Sequence, residues 1–265
     1  LTTSLAAQSS NFTPERDDLI VPLTAASHIL IPVAGDVPGA NGTHFRSDIN
    51  LINLRDVAQT VQLRWYPQGA NGSGLSVRSI TLSATSGVSS ENFVADILQR
   101  TGLGAIDIIG VTAEGVPDTN ALLHATARIW TPEADDNNGI ADEGTMSQTF
   151  PAISMPTSAV TAKTIFGVRH SDQYRLNVGI TNPAATTQRF RVTTYVFASP
   201  IETTSFEIEL PPMSMQQVNV PATASGNAQI TIENLTGGAG SWHGWASSID
   251  NKSGDAWSQM AFAGQ

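Results

Sequence analysis

The sequence predicts an all-β protein: two tandem antiparallel β-sandwich domains related by internal duplication, preceded by an extended N-terminal arm. Three observations predict it. The run Phe45-Arg46-Ser47-Asp48-Ile49-Asn50-Leu51-Ile52-Asn53 returns downstream as Tyr174-Arg175-Leu176-Asn177-Val178-Gly179-Ile180-Thr181-Asn182, with its aromatic, arginine, alternating aliphatics and closing asparagine in the same order. Short runs alternate apolar and polar residues between clusters of Gly, Pro, Asn and Ser, the period of a half-buried strand. Long amphipathic helical patterns are missing, and 265 residues suffice for two domains that each bury a core.

Residues 1–26 read as the arm. Leu1 to about Thr13 is polar and without periodicity, then Asp18 to Leu23 and His28 to Val33 form two β-branched runs broken by proline. Proline donates nothing to a sheet ladder, so these runs read as edge or entering strands. The first sandwich spans 27–153. Pro38 to Thr43 is dense turn chemistry that delivers the chain into Phe45. Along Phe45 to Asn53, residues 45, 47, 49, 51 and 53 share one face and 46, 48, 50 and 52 the other. A turn over Leu54 to Ala58 leads into Thr60 to Tyr66, and these two strands are expected to pair as a hairpin. A Gly-rich loop over Pro67 to Gly74, a strand over Leu75 to Leu82, a helical turn before Leu98, and strands over Ala105 to Thr112 and Leu122 to Trp130 complete the copy.

A proline-bearing linker over 154–159 precedes the second sandwich, 160–265. There Phe190 to Tyr195 answers Val61 to Tyr66, Phe206 to Leu210 answers Ser79 to Leu82, and Ala228 to Glu233 answers Ala105 to Val111. His243-Gly244-Trp245-Ala246 answers His124-Ala125-Thr126-Ala127, and Trp257-Ser258-Gln259 answers Met146-Ser147-Gln148. This self-similarity is the mark of a repeat, with about seven strands per copy.

Composition removes several classes of function. The formal net charge is -10 and the only lysines are Lys163 and Lys252, whereas phosphate backbones are held by clustered Lys and Arg; nucleic acid is not an expected partner. Without cysteine there is no disulfide frame, thiolate metal site or Cys nucleophile. No apolar run approaches the ~20 residues of a membrane helix. A chain starting at Leu1 rather than Met, with polarity carried by Ser, Thr and Asn, is expected to be secreted or to sit on a bacterial cell surface.

Candidate sites are few. Arg46 and Arg175, with Asp48 and Asn177 two residues on, read as structural forks, the competing reading being a ligand-binding arginine in each copy. Asn53 and Asn182 stand at strand ends, where an Asx side chain mimics a backbone turn. The acidic stretch Glu133 to Glu143 is the one concentrated chemical feature. Its Asp135, Asp136, Asn138 and Asp142 are candidate ligands for calcium, a hard cation that takes carboxylate and carbonyl oxygens. The frame is incomplete, because Ala134 holds the first ligand position and Thr145 that of the bidentate Glu, so a solvated acidic hairpin competes. The five histidines form no H-E-x-x-H or close pair, and no G-x-S-x-G elbow is present. Trp65, Tyr66, Trp130, Trp242, Trp245 and Trp257 read as core and interface residues before sugar-stacking ones.

The run from Pro38 to Asn53 followed by Thr60 to Leu63, with strand ends such as Gly144 to Gln148 and Ile249 to Asp255, resembles secreted bacterial proteins with tandem Ig-like β-sandwich repeats. The resemblance covers nearly all of the chain beyond the arm. It implies export and an Ig-like sandwich, and brings no activity with it. The leading expectation is a non-enzymatic structural or adhesive protein, a homo-oligomer or polymer such as a filament or matrix subunit, in which the arm completes a neighbour's open sheet edge. A calcium-dependent carbohydrate-binding module with a glycan or cell-surface partner, and a secreted hydrolase, are the alternatives.

Overall fold

A computed structural model describes residues 25–39, 42–132, 144–155, 160–198, 200–221, 225–237 and 241–263. The protein is all-β, and its several sheets are antiparallel. Its elements run β1 (His28–Pro38), β2 (His44–Asn53), β3 (Gln59–Pro67), β4 (Arg78–Leu82), β5 (Gly87–Ser90), α1 (Phe93–Asp96), β6 (Gly102–Val111), β7 (Leu123–Pro132), β8 (Thr145–Pro151) and β9 (Ile153–Ser154). They continue as β10 (Ala162–His170), β11 (Tyr174–Asn182), β12 (Gln188–Val196), β13 (Glu202–Leu210), β14 (Ser214–Asn219), β15 (Gly226–Asn234), β16 (His243–Asp250), β17 (Ala256–Met260) and β18 (Phe262–Ala263).

In the second half, one sheet has the order β13-β12-β15-β10-β18 and the other β14-β11-β16-β17. The first half pairs its strands in the same way, β4-β3-β6-β1-β9 and β5-β2-β7-β8, and the two layers are joined where Val37 and Pro38 of β1 pair with Phe45 and His44 of β2. Even the irregularities recur: β1 slips register against β6 between Ile31 and Ala34, and β10 slips against β15 between Ile165 and Val168. Alternation decides which side chains meet. Ile49 and Leu51 of β2 face Val61 and Leu63 of β3, and Ile106 and Ile108 of β6, inside one core; Val178, Ile180, Phe190, Val192, Ile230 and Ile232 repeat the arrangement.

Four expectations are corrected. β2 and β3 do not form a hairpin: β2 pairs with β5 and β7, and β3 with β4 and β6. The turn after Asn53 carries the chain from one layer to the other, so the apolar faces of these consecutive strands meet across the core. The run from His28 is a single strand lying between β6 and β9, not an edge; Pro32 is accommodated there because it falls in the register slip, where a ladder donor is not required. Among the described residues each half has nine strands rather than about seven, since β5, β9 and β18 are too short to show a period. The last repeat match also shifts by two: Phe150 pairs with Ala127 as Gln259 pairs with Ala246, so Trp257 takes the place of Gln148, not of Met146.

A third apolar cluster joins the halves. Leu30, Val33, Tyr66 and Ala105, on the outward face of the first half's larger sheet, pack with Phe150 and Met155 against Met215 and Trp245 of the second half's smaller sheet. Backbone bonds fasten this seam. Gly69 N–H donates to Met215 O at 2.8 Å, Gly72 N–H donates to Pro212 O at 3.1 Å, and Gln68 bridges to Met215. Covered on both faces, β6 is buried from Gly104 to Val111, which is why that segment reads as a continuous apolar run rather than an alternating one.

Candidate functional site

The side chains singled out in the sequence do not converge on one place. Asn53 and Asn182 are fully buried braces. The amide of Asn53 donates to Val57 O and Ser83 O at 2.8 and 3.0 Å while its Oδ1 accepts from Arg55 N–H. Asn182 donates to Thr186 O, Leu210 O and Pro211 O and accepts from Ala184 N–H. Each ties its own turn to the end of a strand in the opposite layer, using nearly all the bonds a carboxamide can make.

The arginines differ. Arg46 lies 5.6 Å from the ring centroid of its cross-strand partner Trp130, which Arg128 also approaches at 5.8 Å, and Asp48 stands in register with Arg128. Arg175 donates to Asn251 Oδ1 at 3.1 Å, and Asn177 accepts from Asn219 Nδ2 at 3.3 Å. Arg175 and Asn177 therefore border the seam, whereas Arg46 and Asp48 face away from it. The proposed calcium ligands Asp135, Asp136, Asn138 and Asp142 lie outside the described residues. Among the described residues no group of three metal-ligating side chains is assembled, and no helix is long and apolar enough to cross a membrane.

Trp65, Tyr66, Trp242 and Trp245 are all buried, so their faces pack against protein and are not presented to a sugar. Trp65 does border a solvent-open groove of about 540 Å³ beside Leu75 and Arg100. Two buried polar clusters stand out. Asp107 is 1% exposed, holds His28 Nε2 at 2.5 Å and sits beside the phenol of Tyr66, whose pKa rises through burial first and that carboxylate second. In the second half, Lys163 donates from Nζ to Trp242 O and lies 4.7 Å from the Trp242 ring centroid; burial lowers its pKa to about 8. His243, buried next to it, is lowered to about 3 by burial first and by the Lys163 charge second.

Both halves also build a cavity of about 280 Å³ in the seam. Val33, Phe45 and Phe150 supply apolar wall from the first half, and Arg175, Gln217 and Trp245 close it from the second. Trp245 packs edge-on to Phe150 with centroids 5.1 Å apart, and its indole lies against the backbone of Gly179, its register partner on β11. A Cβ at position 179 would come within 2.1 Å of the indole. Gln148 and Ser247 satisfy one another across the seam at 2.7 and 2.9 Å. Sequence reasoning placed Trp245 among core and interface aromatics without locating the seam, and did not single out Phe150 or Gln148. The available signal was a departure from the correspondence between the halves: Gly179 and Trp245 stand where the first half has the exposed pair Asn50 and Thr126. No family model, curated protein or solved structure matches the chain.

Proposed function

We propose that the chain is a non-enzymatic structural or adhesive protein of the bacterial exterior, made of two Ig-like β-sandwiches that arose by duplication, with domain limits near 27–153 and 160–265 and residues 1–26 as an assembly arm. The observation that carries this reading is the seam. An apolar cluster and cross-half backbone bonds turn two small sandwiches into one stiff body, which suits a part that bears load or presents surfaces at fixed spacing. The duplication is supported by the shared pairing scheme, the matching register slips and the paired braces at Asn53 and Asn182.

Assembly proceeds through strand addition. The strand β13 ends its sheet and, among the described residues, pairs along its nine residues with β12 alone. Such an edge accepts an added strand, and the apolar run Asp18 to Leu23 has the composition to supply one. Sedimentation of the full chain against a chain lacking residues 1–23 tests this. Concentration-dependent polymers of the full chain and monomers of the truncated one are expected; a full chain that stays monomeric at every concentration overturns the assembly.

A further inference from the structure

We propose that the seam is a peroxide-sensitive joint, opened by oxidation of the methionines that line it. All five methionines of the chain stand there. Met155 of the first half and Met215 of the second belong to the buried seam cluster, and Met213 and Met260 pack against it. Met146, on β8 of the first half, lies with its Sδ against Gly254 in the turn between β16 and β17 of the second, so close that a Cβ there would collide with it. Neither sandwich core contains a methionine among its described residues. The chain also lacks cysteine, so these thioethers are its only sulfur and the first targets of a peroxide.

Exposure sets the order of attack. Met146, Met213 and Met260 are half-buried and form an accessible rim, whereas Met155 is 9% exposed and Met215 is wholly covered. A thioether sulfur attacking hydrogen peroxide forms an S–O bond and breaks the O–O bond. The sulfur gives up two electrons, and the departing hydroxide takes the proton of the new S–OH group and leaves as water. Each sulfoxide then places a strong acceptor in an apolar contact. Met260 is the register partner of Trp245, and Met213 and Met215 flank the backbone bonds that Gly69 and Gly72 donate across the seam. An acceptor without a donor is destabilising in such a place, so oxidation of the rim loosens the seam and then uncovers Met215.

Hydrogen peroxide added to the full chain, with sulfoxides located by peptide mass spectrometry and the halves followed by calorimetry, tests this. We expect sulfoxides at Met146, Met213 and Met260 several-fold sooner than at Met215, and a single melting transition that splits in two as they form. Replacing the rim by Met146→Leu, Met213→Leu and Met260→Leu together changes little in volume or apolarity. In peroxide this variant is expected to keep one transition and leave Met215 unoxidised. If methionine only fills gaps in the seam, all five sulfoxides form with the single transition intact, and the proposal falls. A rim that stays unoxidised at millimolar peroxide, Met215 oxidised as fast as the rim, two transitions before peroxide is added, or a leucine variant that splits like the native chain overturns it as well. Strand addition plays no part in the joint, so a failure to form polymers leaves these outcomes unaffected.

Discussion

Lys163 occupies the β10 position at which β1 carries the core residue Ile29, and it brings a charge into the second half's interior beside His243. Both groups hold fewer protons when folded than when unfolded, so stability rises with pH wherever either one titrates. For His243 the window runs from about pH 3 to the ordinary histidine value of 6.5, and stability falls as pH drops through it. For Lys163 it runs from about 8 up to 10.5, and stability climbs as pH rises through it. The limiting slope is about 1.4 kcal/mol per pH unit for each group. Denaturant midpoints between pH 8 and 10 are expected to increase for the native chain, and Lys163→Met is expected to abolish that increase. A midpoint that falls over this range refutes the account. At this scale the braces Asn53 and Asn182 were legible in the sequence, because an asparagine closing a strand serves its own turn. Lys163 was not, since its burial depends on Trp242 and His243, some eighty positions away.

Among the elements, β2 and β11 show both the strength and the limit of pattern reading. The alternation from Phe45 to Asn53 places Ser47, Ile49, Leu51 and Asn53 inward, and they are buried. Period alone does not name the neighbour, so the turn after Asn53 looked like a hairpin although it crosses between layers. In β11 the outward face is covered as well, which leaves Gly179 and Thr181 buried where simple alternation expects solvent. Gly179→Ala tests that close contact. The added methyl has no space beneath the indole, and overpacking of this kind costs about 1–3 kcal/mol. A lower melting temperature with altered near-UV dichroism from Trp245 is expected, whereas Asn50→Ala, at the exposed equivalent in β2, is expected to change neither. Equal effects of the two would show that the indole yields to the methyl.

For the molecule as a whole, the seam makes the halves cooperative. Phe150→Ala removes a fully buried ring from it, at a cost of about 3–5 kcal/mol. Calorimetry is expected to show one transition for the native chain and two for this variant, as the halves separate before either core melts; a single transition in both would place the coupling elsewhere. The strand-by-strand correspondence of the two halves was legible because it was written in local patterns. The seam was not, because its two surfaces, Leu30 with Tyr66 and Met215 with Trp245, come from distant stretches that have no common period. Nor does the contact recur outward. The positions matching Leu30, Ala105, Met215 and Trp245 in the other half are Thr164, Gln229, Gly87 and Thr126, so the outer faces lack the apolar set that forms the seam.

That one-sidedness also gives the chain a schedule. The half that leaves the ribosome first carries Leu30, Val33 and Tyr66 on a face that only the later half covers. At roughly 5–20 residues per second, some 100 residues of the second half take about 5–20 s to follow. For that interval the nascent chain displays to its surroundings an apolar sheet face that the finished protein hides.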